Sequence, residues 1–159
     1  MNKVYLLLGS NLNNPKENLL TAQGFIFEKL GSITRLSSLY QTGAWGNTEQ
    51  PDFINQVIVV DTKYPALQCI DIILAIEQSM GRVRTTKNAP RLIDIDILYF
   101  NKEIINLPHL VVPHPAIQLR KFVLIPLNEL SPHFVHPVFN QNNHQLLKKC
   151  EDQLNVKKI

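Results

Sequence analysis

The sequence predicts an α+β domain with a ferredoxin-like βαββαβ core, in which helices cover one face of an antiparallel sheet and leave the other face open. Two observations lead to this fold class. Strand-like and helix-like patterns follow one another in the order strand, helix, strand, strand, helix, strand. The chain has 159 residues, of which 45% are hydrophobic and 18% charged, which is sufficient for one domain spanning residues 1–159 with a sizeable core.

The first strand and the first helix have clear local signals. Lys3 to Leu8 has the composition of a buried strand. Asn14 is a typical capping residue, Pro15 takes the first helical position, and Glu17 stands three residues after the cap. We therefore predict a helix that begins at Pro15 and ends before Gly31, where a glycine is typical of a helix end.

The rest of the chain continues the alternation of strands and helices. The segment from Gln41 to Asp52 contains two glycines and a proline, and a loop of this length favours a functional role. The other predicted segments are strands Ile33–Tyr40 and Phe53–Thr62, a helix from Pro65 to Met80, a basic turn-rich connection Arg82–Pro90, a strand to Phe100, and then proline-divided short helices and loops with a closing helix from about Gln145.

Two acids lie at strand spacing in the last core strand. Ile93, Ile95 and Ile97 alternate with Asp94 and Asp96, so the isoleucines face one way and the two carboxylates the other. Acids two residues apart on a strand have α-carbons roughly 6.5 Å apart. Such a pair suits Mg²⁺, which takes one or two carboxylates completed by water and phosphate oxygens. Alternation alone is equally compatible with the solvated face of an ordinary amphipathic strand.

Composition narrows the classes of partner. The net charge of +3 suits a small anionic ligand and does not by itself indicate nucleic acid. No apolar run reaches the roughly 18 residues of a membrane span, and the start of the chain is too short in apolar residues for a secretory signal, so we expect a cytoplasmic protein. Cys69 and Cys150 are interpreted as small packing residues rather than as a disulfide or metal site.

An ordered set of short motifs resembles the 6-hydroxymethyl-7,8-dihydropterin pyrophosphokinase family. The most specific stretch is Gly81-Arg82-Val83-Arg84 followed by Pro90-Arg91-Leu92-Ile93-Asp94-Ile95-Asp96. The other matching pieces are the turn Gly9-Ser10-Asn11-Leu12, Ser37 to Thr42, Gln50 to Asn55, Pro113-His114-Pro115 and Arg120 to Leu127. The resemblance covers the chain from Val4 to about Pro137.

The resemblance implies a reaction and its cofactors. A diphosphate passes from ATP to the hydroxymethyl group of a reduced pterin, AMP leaves, and the product enters folate biosynthesis. Asp94 and Asp96 would hold two Mg²⁺ ions, a charge-neutralising arrangement suited to phosphoryl-type transfer. Arg82 and Arg91 match the family's phosphate-binding arginines and complete the predicted catalytic group.

The resemblance also assigns the two substrate sites. The residues implied for ATP are Glu77, Arg82, Arg84, Arg91, Ile97, His114 and Arg120. Those implied for the pterin are Thr42, Gly43, Trp45, Phe53, Asn55 and Phe122, with the two phenylalanines stacking on the flat ring and the Asn55 amide pairing with its edge. The active site would lie on the open face of the sheet under mobile loops. We expect a monomer without nucleic-acid or membrane partners.

The sequence departs from the family pattern near the acidic strand. Many relatives have an aromatic-Gly-Pro-Arg run there, whereas this chain has Asn88-Ala89-Pro90-Arg91, and Thr85 and Thr86 stand near a position that is often lysine. Position 109 is His where some relatives have Arg. A competing hypothesis is a non-catalytic nucleic-acid module using Arg82, Arg84 and Lys87. The acidic pair argues against it, since Asp94 and Asp96 would repel phosphates without a metal.

Overall fold

The computed structural model describes residues 1–43, 51–81 and 92–159. Its strands are β1 Asn2–Ser10, β2 Ser32–Leu36, β3 Tyr40–Thr42, β4 Phe53–Thr62, β5 Asp94–Phe100, β6 Ile105–Leu107, β7 Leu110–Val112 and β8 Val156–Lys158. Its helices are α1 Pro15–Lys29, α2 Ala66–Ser79, α3 Lys121–Leu130 and α4 Asn143–Lys149, with a 3₁₀ turn at Ile117–Leu119.

The main sheet is antiparallel, as predicted for a ferredoxin-like core. Its six strands run β5-β1-β4-β3-β8, and β2 also pairs with β4. Every neighbouring pair in this sheet is antiparallel. β6 and β7 form a separate two-stranded hairpin. The predicted βαββαβ order and the antiparallel sheet are therefore confirmed.

The first and second helices cover one face of the sheet, as predicted. Val4, Leu6 and Leu8 alternate along β1 toward this face and pack in one cluster with residues of α1 and α2. Ile93, Ile95 and Ile97 join the same cluster and are at most 4% exposed. The period-2 pattern of the strands and the 3.6-residue pattern of the helices thus meet in a single core.

The opposite face is closed at one end by the third and fourth helices. Tyr5, Leu7, Val59 and Tyr99 point to this side and pack against α3 and α4. The Tyr5 and Tyr99 rings meet edge to face with centroids 5.6 Å apart. The open face predicted from the sequence is therefore reduced to the other end of the sheet.

Local signals account for most element bounds. The Asn14 side chain accepts a hydrogen bond from the Glu17 backbone N–H at the start of α1, and Pro15 occupies the first helical position. β4 has the predicted bounds, Phe53–Thr62. The prediction of one continuous strand from Ile33 to Tyr40 is wrong. The chain leaves the strand conformation after Leu36, where the Ser37 hydroxyl accepts a hydrogen bond from Val57 N at 3.0 Å in place of a regular ladder.

The closing third of the chain contains more regular structure than its prolines indicate. α3 continues through Pro126, which is buried with five apolar residues of the same helix. β8 adds a strand to the edge of the main sheet. None of the described helices is long and apolar enough to cross a membrane.

Candidate active site

Three neighbouring strands bring the predicted site residues into one row. Asp94 on β5 pairs with Gly9 on β1, and Gly9 pairs with Asn55 on β4. Directly paired residues in an antiparallel sheet project to the same face. With strands about 4.8 Å apart, the α-carbons of Asp94 and Asn55 are separated by about 10 Å. The acidic pair and the predicted pterin-binding amide therefore face the same space at the open end of the sheet.

Gly9 leaves the room that the Asn55 side chain occupies. A Cβ added to Gly9 would lie 2.6 Å from Asn55 Oδ1 and 3.9 Å from Phe53 Cδ1. Asn55 is only 4% exposed, so its amide has little space to move aside. Sequence reasoning placed Gly9 in a turn, but it lies within β1 and determines the shape of the site. A glycine inside a strand is itself a signal of close approach by another group.

Asp94 and Asp96 lie on one side of β5, as the alternation predicts, and both are partly buried. Ile95, the residue between them, is held by the Glu77 side chain at the outer edge of the sheet. The Ile95 backbone N–H donates to the Glu77 carboxylate at 2.8 Å, and Glu77 is 2% exposed. Glu77 therefore lies behind the two aspartates, where it fixes the backbone of their strand.

A cavity adjoins the acidic strand on the side of α2 and the β6–β7 hairpin. Its volume is about 370 Å³. Apolar side chains of Ile70, Leu74 and Ile97 line it, and Asp96, His109 and His114 contribute polar groups. An apolar cleft of this size with a few convergent polar groups is typical of a small-molecule site.

His114 is a neutral hydrogen-bond donor toward this cavity. Burial, reinforced by the charge of Arg120 and partly offset by that of Asp94, lowers the pKa of His114 to about 4. Its Nδ1 accepts a hydrogen bond from Ala116 N at 3.1 Å. The proton of the neutral ring is consequently on Nε2, which can donate to an anionic group.

The structure describes four of the other residues predicted for the pterin: Thr42, Gly43, Phe53 and Phe122. Phe122 is 8% exposed near the start of α3, and the Arg120 guanidinium lies over its ring at 5.7 Å from the centroid. Phe53 pairs across the sheet with Thr42, at the end of β3. The predicted loop from Gln41 to Asp52 accordingly begins later than expected, because Gln41 and Thr42 belong to β3.

Four predicted site residues lie outside the described parts of the chain: Trp45, Arg82, Arg84 and Arg91. In the described parts, residues 1–43, 51–81 and 92–159, no three His, Cys, Asp or Glu side chains form a group that could hold a metal ion. Two carboxylates on one face are a ligand set that fits Mg²⁺, whose remaining positions are commonly filled by water and phosphate oxygens.

Comparisons with known proteins decide the family. Residues 5–132 match the family model described as 7,8-dihydro-6-hydroxymethylpterin-pyrophosphokinase, HPPK. The chain belongs to the HPPK family. This assignment confirms the predicted enzyme: an HPPK is a pyrophosphokinase of folate biosynthesis that uses ATP and a hydroxymethyldihydropterin as small-molecule substrates.

Curated relatives support the HPPK assignment over most of the chain. The 2-amino-4-hydroxy-6-hydroxymethyldihydropteridine pyrophosphokinase of Pseudomonas aeruginosa is 42% identical over 132 residues, covering 82% of this chain and 81% of the relative. The Haemophilus influenzae protein of the same name is 35% identical and covered to 96% in both chains. The folic acid synthesis protein FOL1 of Dictyostelium discoideum is 36% identical over 99% of this chain, which spans only 24% of that longer protein.

A solved structure supports the HPPK fold. The Plasmodium falciparum HPPK-DHPS crystal structure with pteroate aligns with a TM-score of 0.76 over 93% of this chain and 42% of that chain. Its sequence identity is 21%, so the likeness concerns the fold alone.

Proposed function

We propose that the open end of the sheet aligns ATP and 6-hydroxymethyl-7,8-dihydropterin side by side for diphosphate transfer. The observation that carries this proposal is the row Asp94, Gly9 and Asn55 across three paired strands. The hydroxymethyl oxygen attacks the β-phosphorus of ATP, and a new P–O bond forms. The bond from the β-phosphorus to the oxygen bridging it to the α-phosphorus breaks, AMP leaves with that oxygen, and the hydroxyl proton is released to solvent.

Asp94 and Asp96 would hold two Mg²⁺ ions. When bound, the ions would neutralise phosphate charge and lower the pKa of the attacking hydroxyl. The protein's part is to keep both carboxylates on one face at fixed spacing. β5 does this through its pairing with β1 and through the Glu77 carboxylate on Ile95 N. We therefore assign Glu77 a positioning role behind the aspartates, in addition to the nearness to nucleotide that the resemblance implies.

The ATP molecule would occupy the cavity beside β5. Ile70, Leu74 and Ile97 offer apolar surface for the base, and Asp96 at the same cavity marks the side where the phosphates would meet the metal ions. The Nε2–H of His114 would donate to a phosphate oxygen. Arg120, with Arg82, Arg84 and Arg91 from the basic connection, would supply cationic partners, since guanidinium groups suit phosphate geometry.

The pterin would lie next to Asn55, within reach of the metal-bound phosphates. The Asn55 amide carries donors and an acceptor that match the edge of a pterin ring, and its burial means that an unmatched ring would leave these groups unsatisfied. Phe53 and Phe122 would stack on the ring, Thr42 and Gly43 would present backbone groups, and Trp45 would cover the pocket.

We also propose that the chain acts as a single-domain cytoplasmic monomer on small molecules, without nucleic-acid or membrane partners. The mild net charge of +3 supports this, because it provides little of the electrostatic attraction on which nucleic-acid binding depends. Light scattering of the purified protein tests the monomer.

Nucleotide product analysis tests the reaction. The protein is incubated with ATP and Mg²⁺, with and without the pterin alcohol. AMP that accumulates in step with the pterin diphosphate, and only when the alcohol is present, is the expected result. ADP as the nucleotide product would overturn the proposed reaction, because it would indicate transfer of a single phosphoryl group.

A further inference from the structure

The segment 151–159 contacts both sides of the proposed pterin pocket. Within it, β8 pairs with β3, so that Val156 lies opposite Thr42 and Lys158 opposite Tyr40. The Thr42 hydroxyl donates to Asn155 O at 3.3 Å, and Ile159 N donates to Leu39 O at 3.0 Å. One side of the pocket, formed by Thr42 and Gly43, is thereby attached to this segment.

Asp152 attaches the same segment to the other side. Its Oδ2 accepts a hydrogen bond from Lys121 N at 3.0 Å, and its Oδ1 accepts one from Leu154 N at 2.9 Å. Lys121 is the first residue of α3, and the side chain of the N-cap residue Arg120 makes no capping bond there. Asp152 supplies that cap from 31 residues away, and its negative charge is favourable at a helix N-terminus.

The two attachments meet at the residues proposed to bind substrate. Arg120 and Phe122 flank Lys121 in sequence, so the cap fixes the backbone that carries the stacking ring. Leu154, whose N–H is held by Asp152, has a side-chain carbon 4.0 Å from the position of a Cβ on Gly43. Because both carboxylate oxygens of Asp152 accept a backbone N–H, one side chain sets the distance between α3 and the end of β3.

We propose that Asp152 is a positioning residue for the pterin pocket, and that segment 151–159 holds Phe122 at the correct separation from Thr42 and Gly43. This inference rests on the proposed location of the pterin. The nucleotide cavity beside β5 is lined by residues of α2, β5 and the segment 108–115, so Asp152 should affect nucleotide binding only through Arg120, and less than it affects pterin binding.

Equilibrium binding tests this role independently of turnover. Titration calorimetry is run with a non-hydrolysable ATP analogue and Mg²⁺, and then with the pterin alcohol added to the saturated complex. We expect Asp152→Ala to raise the Kd for the pterin by about fivefold or more, the effect of a typical lost cap, while the Kd for the nucleotide, which depends on Asp152 only through Arg120, rises by a clearly smaller factor. Steady-state kinetics should show the same division between the two KM values.

The adjacent acid provides a matched control. Glu151 is exposed and makes none of the contacts just described, so Glu151→Gln should leave both affinities unchanged. Should Asp152→Ala fail to fold, Asp152→Asn carries the test, because it keeps one acceptor oxygen and should show a smaller loss in the same direction.

Two results would overturn the positioning role. One is an unchanged pterin Kd despite a lowered melting temperature. The other is an equal weakening of nucleotide and pterin binding. Failure of the proposed reaction would give a different result, because the unaltered protein would bind both ligands without forming AMP. The Kd values of Asp152→Ala and the unaltered protein would still test the positioning role.

Discussion

The two ends of one sheet face differ sharply although the same three strands form both. At the closed end, Tyr5 on β1, Val59 on β4 and Tyr99 on β5 are at most 5% exposed beneath α3 and α4. At the open end, the same strands present Gly9, Asn55 and Asp94. The apolar side chains end at Leu7 on β1 and Val57 on β4, whereas on β5 the change comes one residue pair earlier, since Asp96 pairs with Leu7. One half of this face therefore stabilises the fold, and the other half carries the candidate active site.

The division explains how a small domain can hold two carboxylates close together. Like charges two residues apart repel one another, which costs stability unless a cation or another charged partner compensates. The apolar contacts of the closed end keep β5 in register with β1 regardless of that repulsion. We infer that the open end is specialised for binding and the closed end for stability, so mutations at the two ends should have different effects.

The largest expected effect is on turnover, from loss of a carboxylate at the open end. Asp94→Asn or Asp96→Asn should lower kcat by about 10³-fold or more, because charge stabilisation and positioning provide nearly all of the catalysis in phosphoryl-type transfer. The melting temperature should stay within a few degrees of the unaltered protein or rise. AMP formation and thermal unfolding are measured on the same samples. Asp61→Asn, at the other end of β4, is the control and should retain activity. An Asp96→Asn protein with near-normal turnover would contradict the account.

The second effect is on stability, from a cavity at the closed end. Leu127 on α3 is fully buried in the cluster that covers this end. Leu127→Ala should lower the free energy of unfolding by about 2–5 kcal/mol through lost contacts and residual cavity volume. Activity per folded molecule should be retained below the unfolding transition. Denaturant titration measures the free energy of unfolding. A large loss of kcat in fully folded Leu127→Ala protein would show that the two ends are not separable.

The third effect, on both stability and Mg²⁺ binding, comes from the Glu77 contact at the outer edge of β5. Glu77→Ala removes the acceptor of the Ile95 N–H, and an unsatisfied buried donor costs about 1–3 kcal/mol. Some of that cost should appear as a rise of about fivefold in the Mg²⁺ concentration that gives half-maximal activity. Glu77→Gln keeps an acceptor oxygen and should remain close to normal. An unchanged Mg²⁺ dependence in the alanine variant would remove Glu77 from the positioning role.

The smallest effect is a pH dependence of stability that arises from His136 at the closed end. Burial lowers the pKa of His136 to about 4, and its Nδ1 accepts hydrogen bonds from Val138 N and Phe139 N. The neutral ring is therefore the folded form. Its contribution to stability is complete above the unfolded pKa of about 6.5 and is lost as the pH falls toward 4, by at most about 1.4 kcal/mol per pH unit. Denaturant titrations at pH 7 and pH 5 measure how far the free energy of unfolding falls between the two. This decrease should be smaller in His136→Gln than in the unaltered protein. The exposed His133 offers the control substitution, and an unchanged pH dependence in His136→Gln would contradict the prediction.

Much of the fold could be predicted because its signals are local. The cap at Asn14 and the strand composition from Phe53 to Thr62 depend only on neighbouring residues, and both predictions are confirmed. The break between β2 and β3 depends on the bond from Val57 N to Ser37 Oγ, across 20 residues. The continuation of α3 through Pro126 depends on burial against the sheet, which outweighs the local effect of a proline.

The candidate site could be predicted by residue type but not by arrangement. The acidic pair and Asn55 stand out in sequence, whereas the role of Gly9 depends on strand register. Register between β1 and β4 is a long-range property that local pattern does not contain. The same holds for Asp152, because nothing in its neighbourhood indicates that it caps a helix beginning at Lys121.

Amide chemical-shift mapping tests the division of the face most directly. Spectra of the ¹⁵N-labelled protein are compared before and after addition of Mg²⁺ with a non-hydrolysable ATP analogue, and then after addition of the pterin alcohol. We predict that the nucleotide shifts the amides of residues 94–97 and His114, that the pterin shifts those of Gly9 and Asn55, and that the amides of Tyr5, Val59 and Tyr99 remain unchanged. Shifts concentrated at the closed end, with Asp94, Asp96 and Asn55 unaffected, would contradict the account.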